Sequence, residues 1–154
     1  MKEIENYISL ELEFKENKIS KILDLNSKKI ITSFRKPLTE NGYKLYVIKS
    51  KKDFLYIGIT RQSLRNRFRL GFKADGKNGY HGYKWKNIQC VQLFVWIFEN
   101  YSETQLENIE AELTYLVRNK TNRWPLFQNE IHFNNNFKSG RKIATKIFEL
   151  INDT

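Results

Sequence analysis

Between residues 44 and 72 the hydrophobic rhythm of this chain switches from a period of two to a period of four, and that switch constrains the fold most. Lys44-Leu-Tyr46-Val-Ile48 and Phe54-Leu-Tyr56-Ile-Gly58-Ile59 alternate as strands do, with the polar stretch Lys49 to Asp53 joining them. Leu64, Phe68 and Phe72 then recur every four residues, which is the buried stripe of a helix spanning residues 61–72. A hairpin feeding straight into a helix sets the plan for the rest.

Upstream, Ile8 to Phe14 alternates apolar and polar and reads as a half-exposed strand. Ile19, Ile22 and Leu23 fall at helical spacing. Ile30 to Phe34 reads as a short strand before the turn marked by Pro37 and Asn41-Gly42. Residues 1–42 thus form an accessory segment. Downstream, Ile88 to Phe98 is apolar at both parities in its second half, as a central strand covered on both faces must be. Residues 103–119 carry Leu106, Ile109, Leu113, Leu116 and Val117 on one side of a helix, and Ser139 to Ile151 closes the chain as another. The expected class is α+β: a small antiparallel sheet flanked by helices, with a core over residues 43–133 and residues 134–154 packed on it.

Hydrophobic residues make up 40% of the 154, which excludes general disorder and suits a single domain. No run approaches the ~20 apolar residues of a membrane span, and no signal-peptide core opens the chain. A lone cysteine, Cys90, cannot form an intrachain disulfide and fits a cytoplasmic setting. The net charge of +10 is unevenly spread: residues 61–86 hold eight Lys or Arg against Asp75 alone, whereas Glu99 to Glu112 holds five glutamates and no base. A basic block of this kind attracts polyanions, nucleic acid foremost.

Strand parity puts Tyr46 and Tyr56 on one face, away from Leu45 and Leu55. A five-residue loop would set them directly opposite, with Cβ atoms about 5 Å apart. Cross-strand aromatic packing accounts for such a pair as readily as chemistry does. Gly58 inside a strand signals close approach by another backbone or a ligand. On the helix, at about 100° per residue, Arg61, Arg65 and Arg69 share one flank of the apolar stripe and Arg67 stands alone on the other. An isolated guanidinium in that position can grip two phosphate oxygens. The loop Gly79-Tyr80-His81-Gly82-Tyr83-Lys84-Trp85 interleaves aromatics with cations, to stack on bases or to anchor itself in the core.

These residues resemble the GIY-YIG nuclease family, in which two strands bearing those triplets precede a helix with an essential arginine. The second triplet is intact as Tyr56-Ile57-Gly58. The first survives as Lys44-Leu45-Tyr46, its glycine lost, and Leu64-Arg-Asn-Arg67 matches the family's leucine-x-x-arginine segment. The resemblance implies a DNA endonuclease of restriction type, dependent on Mg²⁺ or Mn²⁺, acting as a monomer or homodimer. Tyr46 would orient or deprotonate the attacking water, with nearby Arg67 and the metal lowering its pKa, Tyr56 would tune it, and Arg67 would neutralise phosphate charge. The family's metal-binding glutamate falls on the later helix. Glu110 and Glu112 flank its apolar stripe on opposite sides, so spacing leaves both open; the resemblance favours Glu112. It also implies Asn129, with Gln128 second, as the asparagine after Pro125. Some members carry a histidine one turn after the arginine; here Gly71 stands there, and His81 could substitute from the loop. Arg61, Arg65, Arg69, Lys73, Lys77 and Lys84 would contact the nucleic acid. The lost glycine and displaced histidine also fit a binding module without catalysis, and an RNA-directed nuclease or toxin is a further alternative.

Overall fold

The most apolar strand takes the centre of the sheet. The computed structural model describes residues 2–77, 79, 81–129, 131–133 and 137–152. Its strands are β1 (Ile8–Lys15), β2 (Lys18–Asp24), β3 (Lys29–Ile31), β4 (Lys44–Lys49), β5 (Phe54–Thr60) and β6 (Cys90–Ile97). They form one antiparallel sheet in the order β3-β2-β1-β6-β4-β5, so β6, with Leu93 to Trp96 buried on both faces, joins the N-terminal strands to the hairpin. The helices are α1 (Lys2–Glu5), α2 (Leu64–Lys73), α3 (Glu103–Thr121) and α4 (Gly140–Asn152). The α+β class and the antiparallel sheet are as the sequence implies.

Helices cover both faces. On one, Leu45, Val47, Ile57, Phe94 and Trp96 pack with Leu106, Ile109 and Leu113 of α3 and Ile147 and Ile151 of α4. On the other, Tyr46, Ile48, Leu93 and Val95 pack with Leu64 and Phe68 of α2 and with Trp85. Two side-chain caps start the helices that matter to the site. Ser63 Oγ accepts from the Asn66 amide at 3.3 Å ahead of α2, and Ser102 with Gln105 forms a reciprocal capping box ahead of α3.

Two local expectations are corrected. Ile19, Ile22 and Leu23 lie on β2, not on a helix. Glu16 and Asn17 both adopt positive φ (52° and 59°), a two-residue reversal that sends the chain back along β1 before any helix can start. In the hairpin, Tyr46 faces Gly58 and Tyr56 faces Ile48, so the tyrosines are diagonal rather than opposite. Lys49 pairs with Phe54, which shortens the loop, and its ammonium is buried against the Ile151 carbonyl of α4. A register shift beside Ile48 then leaves Leu55 as an extra residue, packed on the same side as Tyr46. The total displacement is two residues, which keeps both tyrosines on one face.

Lys44 is only 1% exposed, and its ammonium donates to the carbonyls of Glu40 and Gly42 at 2.8 Å each. A buried cation satisfied by carbonyls fastens the turn before β4. Strand β5 is a sheet edge, but residues 126–128 cover it. The Leu126 and Phe127 amides donate to the Phe54 and Leu55 carbonyls, and the Gln128 side chain grips both the amide and the carbonyl of Ile57 at 3.0 Å.

Candidate active site

Because α2 and α3 lie on opposite faces, they can share a cavity only by meeting around the edge of the sheet. They do so at β5. A cleft of about 640 Å³ opens there, lined by Tyr56 of β5, Arg67 of α2, His81 and Lys84 of the following loop, and Asn129 and His132 after Pro125. Its far wall is α3, which contributes Glu103, Glu107 and Glu110. Those three are spaced i, i+4, i+7, so they form one acidic flank of the helix.

Six of the residues singled out from sequence therefore share the cleft: Tyr56, Arg67, His81, Asn129, Lys84 and Glu110, the less favoured of the two glutamates. Tyr46 lies behind it. It is fully buried, and its hydroxyl is 2.8 Å from that of Tyr83. Burial, with Tyr83 and Tyr56 adding to it, pushes its pKa well above the usual phenol value, and Arg67 opposes this only in part. In the metal-free chain desolvation outweighs the lowering by Arg67. Gly58 explains the tight fit: a Cβ there would stand 2.7 Å from the Tyr46 hydroxyl and 2.6 Å from the Tyr56 ring.

Glu112 does not reach the cleft. It lies on the other flank of α3 and pairs with Arg141 of α4 at 3.3 Å. Glu110 takes the inward position, 8% exposed, between Arg67 and Glu107. Burial first, then the neighbouring charge of Glu107, pushes its pKa up to about 8, while Arg67 pulls it down. A carboxylate so costly to ionise alone suits a site completed by a cation. Among the described residues no cluster of three or more metal-ligating side chains forms. What the cleft offers is one buried carboxylate with room for water, the donor set Mg²⁺ accepts.

The cations divide. Arg65, Arg69 and Lys73 face away from the cleft into a groove of about 810 Å³ between α2 and the β2–β3 hairpin. Arg61 lies over the Tyr43 ring at 5.6 Å, and Lys77 pairs with Asp75 at 3.1 Å. Tyr80 lies outside the described residues. Glu103 and Glu107 were missed in sequence, whereas Tyr83 and Trp85 are buried, as the core-anchored alternative for their loop has it. The acidic i, i+4, i+7 spacing was the available signal for the α3 flank.

A small antiparallel sheet whose edge strand carries a tyrosine thus lies between an arginine-bearing helix and an acidic one. A family model described as the GIY-YIG catalytic domain matches residues 42–124, more than half of the chain, and the protein belongs to that family. Searches of curated proteins and of solved structures gave no significant match. Membership makes this a nuclease-type domain with nucleic acid as its substrate class, in a family that generally uses divalent metal ions. No helix among the described residues is long and apolar enough to cross a membrane.

Proposed function

We propose that this protein is a metal-dependent DNA endonuclease in which Arg67, Glu110, Tyr56 and Asn129 form the working centre. The observation that carries this reading is their convergence on one solvent-open cleft beside the sheet edge. Arg67 grips the non-bridging oxygens of the scissile phosphate and offsets charge developing on them. Glu110, with Glu107 one turn before it, would hold a divalent cation, which supplies neutralisation of charge at the phosphate and the leaving oxygen. Tyr56 lines the cleft and would orient the attacking water. Tyr46 stays protonated behind it and acts as a hydrogen-bonding support rather than a base. Lys84 at the rim draws the backbone in, and Arg65, Arg69 and Lys73 provide a second anion-attracting surface across α2.

A plasmid-nicking assay with Mg²⁺ against EDTA, run beside an RNA substrate, tests the reading. Metal-dependent DNA cleavage, abolished in Glu110→Gln with DNA binding kept and retained in Glu112→Gln, is expected. Activity lost only in Glu112→Gln would return the metal to that residue. A second reading, a nucleic-acid-binding module without catalysis, draws on the burial of Tyr46. Binding without cleavage under any divalent ion would establish it.

A further inference from the structure

Gly71 is the bare position on α2 one turn beyond Arg67, and it is not empty space. A Cβ built there would stand 2.2 and 2.3 Å from two atoms of the Tyr83 ring. The ring occupies the volume that a side chain at position 71 would fill. The backbone is docked as well: the Tyr83 amide donates to the Gly71 carbonyl at 3.1 Å. The preceding Gly82, at φ +66°, lies so close to that carbonyl that no Cβ would fit. Glycines on both partners are thus what let the loop lie against the helix.

Seated there, Tyr83 reaches into the site. Its hydroxyl is 2.8 Å from that of Tyr46, its ring packs on Tyr56 edge-on with centroids 5.4 Å apart, and the Arg67 guanidinium stands 5.7 Å from its centroid. It also lines a small cavity of about 60 Å³ with Tyr56, Arg67, Lys84 and Asn129. His81, the other candidate to stand in for a side chain on the helix, packs instead on Gly76 at the exposed rim.

We propose that Tyr83 is a positioning residue of the active site, supplied by the loop in place of the side chain that Gly71 lacks. Its hydroxyl holds the Tyr46 hydroxyl and links that sealed phenol to the small cavity it shares with Tyr56, Arg67 and Asn129. The proposal rests on the nuclease reading above and adds to it a third phenol. A ring serving only to fill space would be replaced by phenylalanine without loss, which separates the two roles.

The experiment measures single-turnover cleavage of a DNA substrate by wild type, Tyr83→Phe, Tyr46→Phe and the double variant, with DNA affinity and melting temperature taken alongside. Tyr83→Phe is expected to slow cleavage about tenfold, the worth of one buried hydroxyl pair, with affinity unchanged. Tyr46→Phe should lose the same factor, and the double variant no more than either, because both substitutions remove one shared link. The double variant leaves no orphaned hydroxyl, so it reads the link even where a single variant folds poorly. Wild-type rate in Tyr83→Phe, or losses that multiply in the double variant, overturns the proposal alone. A wild-type protein inactive on DNA and RNA with Mg²⁺ and Mn²⁺ overturns the nuclease reading and this proposal with it.

Discussion

At the scale of the residue, Glu110 shows how position outranks identity. Two glutamates separated by one residue fall on opposite flanks of α3, one into an ion pair with Arg141 and one into a desolvated wall. The consequence is a pH dependence of known sign. Between about pH 4.5 and 8 the metal-free folded chain keeps a proton on Glu110 that the unfolded chain has released. Stability therefore falls as pH rises through that window, by at most about 1.4 kcal/mol per pH unit from this group. Melting curves of metal-free protein should show the fall, and Glu110→Gln should flatten it. Mg²⁺ should raise the melting temperature of wild type at pH 8 and leave that of the variant unmoved. Equal slopes in the two proteins would remove Glu110 from the account.

At the scale of the element, the hairpin, α2, α3 and α4 were legible in sequence because each has a run of one hydrophobic period, and β6 because its second half is apolar at both parities. What was not legible depended on contacts distant in sequence. Lys49 ends its strand with its ammonium on a carbonyl of α4 102 residues away, and the register there pairs Tyr46 with Gly58. Tyr56 and Arg67 could be singled out by type and order, and His81 and Asn129 only through the family resemblance; that Tyr46 is sealed and Glu110 turned inward could not. Likewise, no local pattern announces that Gln128 clamps the edge of β5. That clamp makes a prediction of its own. Gln128→Ala removes both bonds to Ile57 and should cost about 1–2 kcal/mol of stability. It should also slow cleavage several-fold by freeing the segment that carries Asn129. Unchanged cleavage in a destabilised Gln128→Ala protein would show that Asn129 keeps its place without the clamp.

At the scale of the whole molecule, α2 is a divider. Arg67 looks into the cleft, while Arg65, Arg69 and Lys73 look into the groove shared with the N-terminal hairpin, and none of those three has an acidic partner among the described residues. If nucleic acid spans both surfaces, replacing the three by glutamine lowers the dependence of log affinity on log salt by about 0.9 for each phosphate no longer neutralised. The single-turnover rate at saturating DNA should stay at its wild-type value. An unaltered salt slope would confine binding to the cleft side.

The sheet separates two hydrophobic layers, and the working centre borrows one wall from each. Arg67 is carried by the layer built on Phe68 and Trp85, and Glu110 by the layer built on Ile109 and Ile147. The gap between guanidinium and carboxylate is therefore an adjustable dimension. A change of volume in either layer can move one wall while the other keeps its footing, so the width of the cleft can be tuned without touching a single group that lines it.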